Sequence, residues 1–210
     1  MQVRPLTPTA LAASVVSRAL ALDLGHPVRI AIDGPPHADP SVLADAVYAA
    51  ARDASLPAAR VRLEDFLRPA SVRFEYGHTD PDGWYDAWAD VGGLLREVLV
   101  PLGPGGSLRY LPTLWDASRD RATRAPYESA PPSMVLVVDG QFLLRHELRW
   151  EFDLTVHLAL SAGAVRRRTP AGQEWQWPAL QRYDDETAPE DNCDILVRYD
   201  DPRHPAVVER

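Results

Sequence analysis

No lysine occurs anywhere in the 210 residues, so all 22 basic side chains are arginines. Any positive charge a site needs must come from a guanidinium, a planar donor that stays charged at ordinary pH. Cysteine is nearly absent too: Cys193 stands alone, which excludes an internal disulfide and leaves no zinc-ligand spacing. Basic charge is in deficit, with 30 acidic residues against 22 arginines and a net charge of −8. That balance argues against nonspecific binding to nucleic acid or to an anionic membrane, where basic patches supply the affinity. It leaves room for a local arginine cluster on a phosphate. No stretch approaches the roughly 18–20 apolar residues of a membrane span, and the first residues lack the basic-then-apolar pattern of an export signal. A cytoplasmic location is the resulting expectation.

What is present reads as one α/β domain over residues 1–210. Residues 7–22 place Leu11, Val15, Ala19 and Leu22 at helical intervals, with Thr9 as the expected cap and Gly25 as the stop. "VRIAI" (28–32) is a β-branched run and predicts a strand. Residues 41–54 are alanine-rich with an i, i+3, i+4 apolar pattern, which predicts a helix. "ARVRL" (59–63) alternates as a second strand, and 85–102 predicts a weaker helix interrupted at Gly92-Gly93. "SMVLVVDG" (133–140) is a continuous apolar run of the kind that fills a buried parallel strand. "FDLTVHLAL" (152–160) and "ILVRY" (195–199) complete five strands, with Ser161 placed to cap a helix that carries Arg166, Arg167 and Arg168. Strands alternating with helices predict a central five-stranded parallel sheet flanked by helices.

The connection after the first of these strands carries the main chemical question. "GPPHADPS" (34–41) lies between a strand and a helix, where a phosphate-binding loop of the form G-x-x-x-x-G-K-[ST] would lie. Gly34 matches the first glycine and Ser41 the hydroxyl, but the second glycine is Asp39 and the lysine is Pro40. No lysine elsewhere in the chain can replace it. Asp39-Pro40 is also a strong helix start, with Asp as cap and Pro at the first helical position. An aspartate here opposes a phosphate: two unit charges ~5 Å apart at an effective dielectric of ~20 repel by roughly 3 kcal/mol.

Taken in order along the chain, further segments resemble the uridine kinase family of P-loop kinases. "LEDFLRP" (63–69) is similar to the stretch in which that family carries its catalytic aspartate, and the matching residue is Asp65. "HTDPDGWYD" (78–86) resembles the segment beside the nucleoside, with Pro81 and Asp82 matching directly. "YLPTLWDASRDRATR" (110–124) is similar to a Pro-x-Tyr-Asp stretch through Pro112, Trp115 and Asp116. It lacks the following histidine and offers Arg119 or Arg121 as the arginine. "VLVVDGQFLL" (135–144) resembles the second nucleotide motif, with Asp139 in place of Glu. The strand at 152–160 and the arginines after it resemble the approach to a lid over about 166–190. "CDILVRYDDPRHP" (193–205) resembles the closing strand and loop near adenine.

The resemblance implies an ATP- and Mg²⁺-dependent phosphotransferase acting on a nucleoside or a similar small hydroxyl acceptor. Residues 34–41 (Gly34, Pro35, Pro36, His37, Ala38, Asp39, Pro40 and Ser41), with Arg166 and Arg167, would hold the nucleotide. Ser41 and Asp139 would hold the metal, and Tyr76, His78, Asp82, Trp84, Trp115, Arg119 and Arg121 would hold the acceptor. Chemistry supports Asp65 as base independently: an acid at the C-terminal end of a parallel strand faces the ligand crevice, and an attacking hydroxyl needs a carboxylate to take its proton. Simpler roles compete. Asp65 serves equally as a turn residue, Asp139 as an Asp-Gly turn, and Trp84, Tyr85 and Trp88 as core. Two functions follow, a kinase with an arginine in place of the lost lysine, or a kinase-derived protein that binds a nucleotide or a partner without turnover.

Overall fold

The computed structural model describes residues 2–209. Seven strands form one sheet: β1 (Gln2–Pro5), β2 (Val28–Asp33), β3 (Ala58–Arg62), β4 (Val135–Gly140), β5 (Leu154–Ala159), β6 (Ile195–Arg198) and β7 (Ala206–Glu209). Their spatial order is β1-β7-β6-β5-β2-β4-β3. The five expected strands, β2 to β6, are all there and pair in parallel. β2 sits inside the sheet beside the Asp139 strand, as expected. The sheet is wider than expected by the antiparallel pair β1 and β7, which finishes one edge. Both are short; β1 is exposed along its length, and β7 buries only Val207 and Val208.

Period-two alternation divides the core between the two faces of the sheet. Ile30, Ile32, Val135, Val137, Val156 and Leu158 face helices α1 (Pro8–Leu20) and α2 (Pro40–Asp53), which bury Leu11, Val15, Leu43 and Val47 against them. Ala31, Leu136 and Val138 face the other way, into an aromatic-rich layer containing Phe66, Trp84, Tyr85 and Phe142. Helix α3 (Ala162–Arg168) is capped by the Ser161 hydroxyl at 3.2 Å from the Ala164 amide, as its sequence predicts. Helix α4 (Trp177–Thr187) buries Ala179 and Tyr183.

Two helix starts differ from expectation. Thr7, not Thr9, caps α1 by accepting from the Ala10 amide at 3.2 Å, because Pro8 takes the first helical position, where a missing N–H is harmless. The expected helix over 85–102 is broken into a turn-and-a-half at Pro81–Asp86 and a second piece from Val91 that ends in one π-helical turn at Leu95–Leu99. Asp90 makes the break, since its carboxylate accepts from the Gly93 amide at 2.9 Å and opens a new helix. Among the described residues no helix is long and apolar enough to cross a membrane.

Candidate active site

β2 leads to α2 and β3 on one side of the sheet, whereas β5 leads to α3 and β6 on the other. Such a divergence opens a crevice at the C-terminal ends of the strands, where ligands of open α/β sheets bind. The 34–42 loop, Asp65 and Asp139 all lie at those ends.

The 34–42 loop has spent most of its backbone donors. Pro35, Pro36 and Pro40 have none, the Gly34 amide donates to the Gly140 carbonyl at 3.3 Å, and Pro36–Ala38 form a 3-10 turn. That turn sends the Ala38 amide to Pro35 at 2.8 Å and the Asp39 amide to Pro36 at 2.9 Å. Gly34 itself has a packing reason: a Cβ there would lie 3.0 Å from the Leu158 Cβ and 3.2 Å from its carbonyl oxygen. Asp39 does not cap α2 through its carboxylate, contrary to the sequence expectation. With φ at 51° its backbone is left-handed; its carbonyl accepts the Val42 amide at 3.1 Å, and the carboxylate takes the Ser41 hydroxyl at 2.5 Å. The site thus places the residue expected to hold Mg²⁺ in the grip of a neighbouring carboxylate.

Asp139 is similarly engaged. It is buried at the end of β4 and accepts from Arg60 Nε at 2.9 Å, and the same guanidinium pairs with Asp45. Burial pushes the Asp139 carboxyl up, against the pull of Arg60. Among the described residues no three His, Cys, Asp or Glu side chains are grouped to hold a metal ion. Ser41 and Asp139, the residues expected to hold Mg²⁺, are thus each engaged by another side chain, Ser41 by Asp39 and Asp139 by Arg60.

The arginine that reaches the loop is Arg168. Its guanidinium donates to the His37 carbonyl at 3.3 Å and to the Asp200 carbonyl at 2.5 Å. Arg166 and Arg167 are exposed. Both ring nitrogens of His37 are buried with no partner among the described residues, and burial lowers its pKa.

Below Gly34 and Pro35 lies a cavity of about 70 Å³ lined also by His157, Tyr183, Asp184 and Glu190. Asp33, fully buried, accepts from the Leu143 amide at 2.9 Å and from the Tyr183 hydroxyl at 2.9 Å, and meets His157 Nδ1 at 2.6 Å. Tyr183 in turn accepts from the Leu144 amide at 3.1 Å. Burial and the Asp33 charge push the Tyr183 phenol well up, which keeps it a donor. Sequence reasoning missed this cluster; its one visible sign is a histidine inside the apolar run of β5.

Asp65 occupies a 3-10 turn, Leu63–Phe66, directly after β3. Burial raises its pKa, with Glu64 and Asp139 adding to the rise and Arg62 and Arg60 opposing it. Its carbonyl accepts the Leu114 amide at 2.9 Å, which ties it to the hairpin of Trp115–Asp116 and Arg121–Ala122. A groove of about 440 Å³ is lined by Asp65, Glu64, Trp115, Asp116 and Thr123. A second, of about 510 Å³, shares Asp116 and Thr123 and adds Arg119, Arg121 and Arg124. The structure thus puts Trp115 in the groove of Asp65, and Arg119 and Arg121 in the second groove, which does not include Asp65. The other expected acceptor residues line neither groove. Tyr76 is exposed, His78 stacks on Phe74 at 4.0 Å, and Asp82 pairs with Arg182 at 3.2 Å. Trp84 is buried edge-to-face against Phe142 and Trp175.

No family model matches this chain, and no curated protein matches it in sequence. Solved structures do match. A possible uridine kinase from Bacillus stearothermophilus superposes with a TM-score of 0.71 at 18% identity, covering 88% of this chain and 96% of its own. A D-glycerate 3-kinase from Cryptococcus neoformans superposes at 0.55 with 15% identity, covering 86% of this chain and 80% of its own. At such identities the likeness is one of fold.

Proposed function

We propose, for a chain with a P-loop kinase-like fold, that it is a kinase-derived binding protein that has kept the acceptor half of the crevice and lost the donor half. The reading rests on one observation: the 34–42 loop turns the Ala38, Asp39 and Val42 amides onto its own carbonyls, and Asp39 adds a negative charge and holds the Ser41 hydroxyl. A phosphate chain needs free N–H groups and positive charge at that point. The acceptor half takes a small hydroxyl-bearing molecule of nucleoside size between Asp65, Trp115 and the hairpin arginines. Titration calorimetry with Mg²⁺–ATP tests this. No binding below about 1 mM is expected, and micromolar binding by the natural protein would overturn the reading.

A second reading, a phosphotransferase related in kind to uridine kinase, is favoured by Asp65. Its carboxylate sits at a strand end beside an open groove, where it would accept the proton of an attacking hydroxyl. In this reading Arg168, already bonded to the His37 carbonyl, brings the nearest guanidinium to the loop. A coupled assay for ADP release with uridine decides between the two. Under the second reading, turnover is measurable and Asp65→Asn lowers it by the ~10²–10⁴ typical of a lost general base.

A further inference from the structure

The chain is acidic, yet one groove is not. Among the six residues lining the larger groove, Arg119, Arg121 and Arg124 face a single acid, Asp116. That acid is already engaged. Asp116 accepts from the Ser118 hydroxyl at 2.6 Å and from the Ser118 and Arg119 amides at 3.0 and 3.1 Å, which holds its carboxyl below the usual range. Among the described residues only Arg119 pairs with it, at 3.7 Å.

The other nearby acid is turned elsewhere. Asp120 accepts from the Ala70 amide at 2.8 Å and from Trp115 Nε1 at 3.2 Å, and its remaining ionic neighbour is Arg73 at 3.8 Å. Among the described residues, the side chains of Arg121 and Arg124 form no hydrogen bond or ion pair. The backbone is bent to present them: Asp120 and Arg124 both adopt positive φ, 48° and 53°, a conformation that non-glycine residues rarely accept. Backbone of this kind persists where the surrounding fold fixes it, here through the bond from the Thr123 amide to the Leu114 carbonyl at 3.1 Å.

We infer that the ligand of this crevice is a small anion bearing hydroxyl groups, a phosphorylated sugar or a hydroxy acid, and not a neutral nucleoside. Guanidinium groups without acidic partners match the flat, paired oxygens of a phosphate or carboxylate. The two grooves share Asp116 and Thr123, and the inferred ligand would span both. Its charge belongs at the arginine end, because Glu64 and Asp65 repel an anion at the other. Its hydroxyl end then faces the Asp65 carboxylate. The inference rests on the reading that the Asp65 groove is the ligand site.

Titration calorimetry on the whole protein at low salt, with ribose 5-phosphate, gluconate and uridine as probes, tests it. At least one anion is expected to bind 10-fold or more tightly than uridine, and to weaken as salt is added. The double variant Arg121→Gln/Arg124→Gln changes two exposed side chains, so an unchanged melting curve is its folding control. It should lose at least 10-fold in anion affinity. Preference for ribose 5-phosphate or for gluconate supports the inference and names the anion. Uridine binding as tightly as both anions, neither anion binding below 1 mM, or full anion affinity in the double variant overturns it. Failure of the donor-half reading is a separate result: micromolar Mg²⁺–ATP binding that survives in the double variant.

Discussion

The 34–42 loop and the 115–124 hairpin both rim the crevice, and they treat their polar groups in opposite ways. In the loop, the Ala38, Asp39 and Val42 amides bond to loop carbonyls, Ser41 bonds to Asp39, and the three prolines remove donors altogether. In the hairpin Asp116 is satisfied by the amides and hydroxyl that follow it and Asp120 by the Ala70 amide and the Trp115 indole, while the side chains of Arg121 and Arg124 have no partner among the described residues. A segment that closes its hydrogen bonds on itself is stable without a ligand; one that holds unpaired charge is completed by one. The comparison teaches that a shared fold does not require its two rims to be maintained for the same purpose.

The largest effect is expected below the loop. Asp33→Ala strips the buried Leu143 amide, Tyr183 hydroxyl and His157 ring of their shared acceptor. Breaking such a buried network destabilises by about 3–5 kcal/mol, or a melting-temperature fall of about 10 °C for a chain of this size. Thermal denaturation followed by circular dichroism checks this, and a loss under 2 °C would mean that the cluster does not fasten α4 to the sheet.

Next comes the loop itself. Asp39→Gly with Pro40→Lys removes the repelling charge, frees the Ser41 hydroxyl and supplies a cation. Mg²⁺–ATP affinity should rise at least ~10-fold, about 1.4 kcal/mol, in a calorimetric titration. An unchanged affinity would show that the contrast between the two rims does not lie in these two residues. Asp39→Gly alone is expected to stabilise the protein by up to about 1 kcal/mol, because glycine accepts the φ of 51° without strain and no side-chain cap is lost. A urea midpoint lower than that of the natural protein would contradict it.

The smallest effect belongs to Asp65. Burial raises its folded-state pKa, so the folded state keeps this proton to a higher pH than the unfolded chain does. Its contribution to stability is therefore fully present below the unfolded pKa and is lost as pH rises through the folded value. An uncharged Asp65→Asn should melt about 1–2 °C higher at pH 7, and the gain should vanish near pH 3. A gain that persists at pH 3 would assign the effect to packing instead of charge.

These residues were not equally legible in the sequence. β2 to β6 were, because each is an apolar or alternating run of strand length, and α2 was placed within a residue of its ends. The edge strands were not, since β1 is exposed along its length and β7 offers only the short pair Val207-Val208 to read. Pro8 carried the true start of α1, and Thr9 drew attention by its type alone. At the site, local motifs single out Asp65, Trp115, Arg119 and Arg121, which line two grooves sharing Asp116 and Thr123, whereas no motif points to Arg124. Arg60 was hidden in an alternating strand whose polar positions read as solvent-facing, yet its side chain is mostly buried against Asp139. The Asp33 cluster joins residues 124 and 150 positions apart, and nothing local in sequence announces such a meeting.

The aromatic layer has an optical consequence. Trp175, on the 166–190 segment, lies 5.7 Å from Trp84 and 5.9 Å from Trp88, crossing them at 71° and 47°. Indoles this close and this inclined couple their electronic transitions, and the coupling decays steeply with separation. Three of the six tryptophans therefore form a built-in ruler between that segment and the aromatic layer beneath the sheet. Near-ultraviolet circular dichroism of the unlabelled protein should register any outward swing of the segment when a ligand enters. Trp175→Phe should silence the signal, and the other tryptophans then serve as a constant background.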